Sequence, residues 1–145
     1  MTLRFQRLSP NASVPTAATP FAAGYDLRAC LDAPVDIAPG QTVMVGTGLA
    51  IALPEGWFGA VFARSGLAAR QGLRPANCVG VCDCDYRGEY LIPLHNDSDE
   101  TRTVSHGDRI AQLVLLPCPR IEFEEAESLP ASGRGVSGFG STGLS

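Results

Sequence analysis

Sixteen glycines and 11 prolines interrupt the chain at 27 of its 145 positions, and that punctuation governs what it can fold into. Proline removes a helical hydrogen bond and glycine favours turns, so long helices have little room. Between the breaks lie short runs: "LRFQRL", "YDLRAC", "QTVMVGTGLAIAL", "WFGAVFA", "EYLIPLHN", "ETRTVS" and "RIAQLVLL". Several alternate in polarity or are rich in Val, Ile and aromatics, which marks strands. The pattern predicts an all-β (mainly β) fold with one short helix over "SGLAARQGL", Ser65 as its N-cap and Gly72 closing its last turn. No internal repeat is evident. A chain of this length fits one domain with a core large enough to stand without staples, here residues 1–127. From Ser128 the Gly/Ser-rich stretch "SLPASGRGVSGFGSTGLS" offers almost nothing to a core, so 128–145 is expected to be a flexible tail.

Charge narrows the function classes. The net charge is −4, and the 11 cations are all arginine and form no block, which disfavours non-specific nucleic-acid binding. An arginine still holds a single phosphate bidentately, so small phosphorylated ligands stay open. No apolar run approaches the roughly 18 to 20 residues of a membrane span, and no basic-then-apolar leader is seen. The expected setting is cytoplasmic, without membrane. Five cysteines (30, 78, 82, 84 and 118) make an odd set that argues against a disulfide framework. Their spacing is wrong for the paired hairpins of structural zinc, so reduced, small buried hydrophobes are expected. Cys82 and Cys84 would share one face of a strand.

Polar islands interrupt the apolar runs. "GVCDCDYRGEYLIPL" sets Asp83 and Asp85 one residue apart beside Tyr86; if 82–86 were extended, both carboxylates would share a face. "FARSGLAAR" places Arg64 and Ser65 at a strand end, "AAGYDLRA" places Asp26 in a strand-like segment, and "GDRIAQLVLL" sets Gln112 in an otherwise apolar strand. A buried amide needs partners, in the protein or in a ligand. Residue by residue, two readings stay open for each: Asp26 a turn residue, Gln112 a satisfied core amide, Asp108 and Arg109 a surface ion pair, or all of them ligand contacts. The tail leaves the same choice between a solvated linker and a glycine-rich lid over a phosphorylated ligand, with Arg134 for charge and Phe139 to stack on a ring.

Taken in order, "AGYDLRA", "RSGLA", "GVCDCDYRGEYLIPLHN", "GDRIAQLV" and "RGVSGFGSTG" resemble the five motifs of the trimeric dUTP pyrophosphatase (dUTPase) family, over residues 22 to 143. That resemblance implies a distorted jelly-roll-like β-barrel subunit and a homotrimer with active sites at subunit interfaces. It also implies Mg²⁺-assisted hydrolysis of dUTP to dUMP and pyrophosphate, which keeps uracil out of DNA and supplies dUMP for dTMP synthesis.

The same resemblance implies roles. Asp83 matches the catalytic aspartate that activates the water attacking the α-phosphorus. Asp85 becomes a structural partner, with an ion pair to an arginine such as Arg87 as the plain alternative. Tyr86 matches the residue that packs under the sugar and excludes a 2′-hydroxyl, and Asn77 the amide that reads the uracil edge. Arg64, Ser65, Gly66 and Gln112 match the groups along the phosphate chain. Arg134, Phe139, Gly140, Ser141 and Thr142 match the lid, contributed by a third subunit. Mg²⁺ is expected on the substrate phosphates with no direct protein ligand, Asp26 reaching it through water.

Departures from the family pattern are Ala63 for proline before Arg-Ser, Ser137 for the first glycine of Gly-Gly-Phe-Gly, and Cys84 for serine; weaker lid closure is their expected symptom. Two other classes share the scaffold. A deoxycytidine triphosphate deaminase would act on the base, and ammonia release would reveal it. A non-catalytic nucleotide-binding protein would bind without turnover.

Overall fold

The computed structural model describes residues 1–77 and 79–136. Short strands follow one another as the punctuation requires: β1 (Arg4–Arg7), β2 (Thr16–Ala17), β3 (Tyr25–Arg28), β4 (Val35–Ile37), β5 (Thr42–Gly46), β6 (Leu49–Ala52) and β7 (Trp57–Phe62). The single helix α1 (Ser65–Gln71) comes next, then β8 (Leu73–Pro75), β9 (Val79–Cys82), β10 (Leu91–Asn96), β11 (Arg102–Val104) and β12 (Arg109–Pro117). The expected strands are present, and β2, β4, β8 and β9 are additional. Each of these four is only two to four residues long.

The strands pair antiparallel into four sheets, ordered β2-β3-β12-β7-β9, β5-β10-β8, β1-β6 and β11-β4. The jelly-roll-like arrangement is therefore built from separate sheets that do not close into a continuous hydrogen-bonded barrel. Part of the reason lies in "QTVMVGTGLAIAL", which reads as one run but breaks at Thr47–Gly48. Gly48 takes φ 66°, and a Cβ there would lie 2.9 Å from both Ala12 Cβ and Cys30 Sγ. Buried Thr47 turns its hydroxyl to donate to the Tyr90 carbonyl at 2.8 Å. β5 and β6 thus leave for different sheets.

The inner faces of these sheets supply one core, including Leu27, Ile37, Val45, Leu73, Ile92, Leu94 and Ile110. Each such side chain removed from water contributes about 1.5 to 3 kcal/mol. β10 shows the strand period plainly, with Ile92, Leu94 and Asn96 buried and the residues between them less so. Asn96 is tolerated there because its amide donates to the Ile37 and Glu100 carbonyls and its Oδ1 accepts from the Ser98 amide and hydroxyl.

The helix closes at Gly72 (φ 68°), as its sequence predicts, but does not begin as predicted. Arg64 holds the cap position in extended backbone without a side-chain cap, and Ser65 is the first helical residue. The Arg64 side chain is drawn instead to Asp26 on β3, at 2.7 Å. The cysteines also depart from expectation. Cys30, Cys82 and Cys84 are free and half-buried, and Cys118 is free and exposed. Cys84 lies in the turn beyond β9, so it shares no strand face with Cys82. Cys78 falls outside the described residues.

Candidate active site

Pairing of β9 with β7, Cys82 opposite Gly59 through Val79 opposite Phe62, carries the chain to the protein surface. There the strand ends and residues 83–86 fold into a turn, closed by the Tyr86 amide donating to the Asp83 carbonyl at 3.2 Å. The stretch 82–86 is therefore not extended, and Asp83 and Asp85 do not sit on a shared strand face. Asp83 stands exposed at the strand end. Arg87 makes no ion pair with Asp85; its guanidinium donates to the carbonyls of Cys84 (2.7 Å) and Tyr86 (2.8 Å).

Tyr86 is 44% exposed, yet its position is fixed. Its hydroxyl donates to the Glu89 carbonyl at 3.0 Å, and its ring lies 6.3 Å from that of Tyr90 at 53°. A Cβ on Gly88 would collide with the Tyr86 hydroxyl and ring, so the turn needs glycine there. Glu89 anchors the far end by accepting from the Gly48 amide at 2.7 Å. Just before β9, exposed Asn77 has its Nδ2 only 3.1 Å from where a Gly80 Cβ would lie, so a bare backbone at 80 makes room for the amide.

Asn77, Gly80, Asp83 and Tyr86 thereby line one cavity of about 300 Å³, with Tyr90 and Cys82 at its wall. The Tyr90 hydroxyl is buried, with the weakly hydrogen-bonding Cys82 thiol beside it. Burial, and then the neighbouring Cys82, push its pKa far above the ordinary phenol value. Burial likewise raises the Cys82 thiol, with Asp83 adding to the effect and Tyr90 opposing it.

A second polar cluster lies apart, where β3, β12 and the start of α1 meet. Gln112 of β12 stands opposite Asp26 on one side and Phe62 on the other. Its Nε2 donates to the Ala63 carbonyl at 2.8 Å, so the amide is partnered within the chain. Close behind it, Gly24 leaves the space that its Oε1 occupies. Asp26, only 12% exposed, accepts from Arg64 at 2.7 Å and from Arg109 at 3.3 Å.

Arg109 is thus a partner of Asp26 and not of Asp108, whose carboxylate accepts from the Ser105 amide at 2.7 Å. A register shift between Arg109 and Ala111 explains the exchange. Side chains alternate along a strand, so a regular β12 would aim residues 109 and 112 at opposite faces; the extra residue of the bulge returns Arg109 to the Asp26 face. Alternation alone gives no signal for this contact.

None of Asp26, Arg64, Ser65, Gly66 or Gln112 lines the cavity of Asp83, Tyr86 and Asn77. Within one chain the expected site therefore lies in two parts. Ser65 and Gly66 are exposed at the start of α1, and Arg134 is exposed in the terminal segment. Phe139, Gly140, Ser141, Thr142 and Ser137 lie outside the described residues. Among the described residues no three His, Cys, Asp or Glu side chains gather around a common point for a metal, and no helix is long and apolar enough to cross a membrane.

The family model for dUTPase matches residues 10–143. Curated relatives include the deoxyuridine 5′-triphosphate nucleotidohydrolase of Desulfitobacterium hafniense, 52% identical over 99% of this chain and 95% of its own. That of Gloeobacter violaceus is 47% identical over 95% of this chain and 94% of its own. Among solved structures, the Staphylococcus bacteriophage 80alpha dUTPase with dUPNHPP superposes with a TM-score of 0.87 at 29% identity, covering 99% of both chains. The fold and these relatives define a class of β-rich enzymes named for the nucleotide they hydrolyse. Within that class, the chain belongs to the dUTPase family.

Proposed function

We propose that the chain hydrolyses dUTP to dUMP and pyrophosphate, with an Asp83-activated water as nucleophile. The observation that carries the proposal is the single cavity shared by Asp83, Tyr86 and Asn77, whose volume suits a nucleoside. The relatives named for this activity, and the phage enzyme solved with dUPNHPP, support the choice of substrate.

In this mechanism the Asp83 carboxylate orients a water and accepts its proton as the oxygen attacks the α-phosphorus. The bond to the bridging oxygen of the β-phosphate breaks, and pyrophosphate leaves with that electron pair. A carboxylate suffices, because phosphoryl transfer depends on positioning and charge neutralisation more than on a strong base. Asn77 would hydrogen-bond the uracil edge. Tyr86, held by the Glu89 carbonyl, would lie under the deoxyribose and leave no room for a 2′-hydroxyl.

Because Arg64, Ser65, Gly66 and Gln112 lie away from that cavity in the single chain, they would serve the triphosphate at a neighbour's cavity. Such a division would suit a homotrimer with interfacial sites. The tail, 128–145, would close over the site from the third subunit and bring Arg134, Phe139, Gly140, Ser141 and Thr142 to the ligand, leaving 1–127 as the folded body.

The donor set suits a divalent ion carried by the substrate, not one caged by protein. Asp26 holds two arginines yet retains free acceptor positions, since a carboxylate offers about four. It would hold Mg²⁺ only through water, and the ion, when bound, would neutralise phosphate charge. Such an enzyme would act on the cytoplasmic nucleotide pool.

Pyrophosphate release in the presence of Mg²⁺ tests the proposal, with dUTP, UTP, dCTP and dTTP compared side by side. Turnover confined to dUTP is expected. Ammonia from dCTP would move the chemistry to the base, and binding without turnover would leave a nucleotide-binding protein.

A further inference from the structure

Arg87 has no part in the chemistry above, yet it holds the segment that carries that chemistry. Its Nη1 donates at once to the carbonyls of Cys84 and Tyr86, at 2.7 and 2.8 Å. Residues 83–86 pair with no strand; besides these bonds, the Tyr86 amide donates to the Asp83 carbonyl at 3.2 Å and the Tyr86 hydroxyl to the Glu89 carbonyl at 3.0 Å, while Asp83 and Asp85 themselves have no side-chain partner among the described residues. Without the guanidinium, the carbonyls on both sides of Asp85 would lose this partner, and the backbone between Asp83 and Tyr86 could shift. Charged donors make hydrogen bonds roughly twice as strong as neutral ones, and here a single nitrogen ties two carbonyls on either side of Asp85. The Arg87 side chain also borders a shallow cleft whose other walls include Arg4, Phe5 and Gln6 of β1.

We propose that Arg87 is a positioning residue that fixes the Asp83 carboxylate relative to the Tyr86 ring. The inference rests on dUTP hydrolysis at this cavity. Its signature is a coupled defect. If the turn relaxes, the general base and the backbone that carries the sugar platform shift relative to each other, so turnover falls and the preference for dUTP over UTP narrows. A guanidinium that merely stabilised the fold would lower the melting temperature and leave that preference intact.

The test compares kcat and KM for dUTP and UTP in the unaltered protein, Arg87→Ala, Arg87→Gln and Arg87→Lys, with melting temperatures recorded for each. Arg87→Ala is expected to lower kcat for dUTP about ten- to hundredfold, the range that misplacement of about 1 Å produces, and to narrow the ratio of kcat/KM between the two nucleotides. Arg87→Lys should recover most of both, since one ammonium has enough donors for both carbonyls. Arg87→Gln, neutral, should fall between. Arg87 is exposed, so the variants are expected to fold; should Arg87→Ala not, the Gln and Lys variants carry the same ratio. An unaltered protein without dUTP turnover would overturn the functional reading beneath the proposal. Unaltered dUTP turnover in Arg87→Ala, or a fall in turnover with the sugar preference unchanged, would overturn the proposal alone.

Discussion

At Asp83 the difference between carboxylate and amide is one atom, and on the proposed mechanism that atom carries the base. Asp83→Asn is expected to keep dUTP binding, measured by calorimetry, while lowering kcat by several powers of ten; an unchanged kcat would remove Asp83 from its role. Tyr90 tests the interior in the opposite sense. Its buried hydroxyl meets only the Cys82 thiol, a weak partner that fails strict hydrogen-bond geometry, so Tyr90→Phe should stabilise the fold by about 1 kcal/mol in neutral urea titrations. The pH dependence follows from direction alone. Folded Tyr90 and Cys82 both titrate above their ordinary values of 10.0 and 9.0. The stability they contribute is therefore complete below pH 9.0 and is lost as pH rises through their folded values. Tyr90→Phe should make that alkaline decline shallower. Asp83, Tyr86 and Asn77 were legible as candidates through the motifs that resemble the dUTPase family's, which residue type and spacing alone did not carry. Arg109 and Arg87 were not, since their partners are set by a bulge and a turn.

Elements explain why those partners were hidden. The one-residue shift in β12 brings Arg109 to Asp26, and the break at Gly48 divides a run that reads as a single strand. Both are local backbone events, while polarity patterns report only faces. The helix was legible at its glycine end, where backbone chemistry decides, and misread at its start, where the cap position falls on Arg64, whose donor-only guanidinium pairs with Asp26 and cannot cap. The contact between β3 and β12 yields a further prediction. A Cβ on Gly24 would lie 3.2 Å from Gln112 Cδ and closer still to its Oε1. Gly24→Ala should displace that amide from the Ala63 carbonyl and lower kcat/KM for dUTP about tenfold, with little change in melting temperature. Loss of folding before loss of activity would mean that Gln112 serves the sheet alone.

For the whole molecule, the β-rich class, the single helix and the family were legible from punctuation and motif order, whereas a site divided between chains was implied only by the resemblance, because no pattern along a chain reports which residues end up side by side. Beyond Pro117 every described residue is exposed, with Ile121, Phe123 and Leu129 unburied. On the lid reading, truncation after Leu129 should leave a folded trimer by size-exclusion chromatography with poor dUTP turnover; an unfolded product would make the tail structural.

The split between the Asp83 cavity and the Arg64–Gln112 cluster reaches as far as inheritance. If each site is assembled from several chains, a damaged copy does not fail by itself. It lends its defect to the sites of its neighbours while borrowing their sound parts, so one faulty allele would poison a mixed population, and two different faulty alleles would partly repair each other.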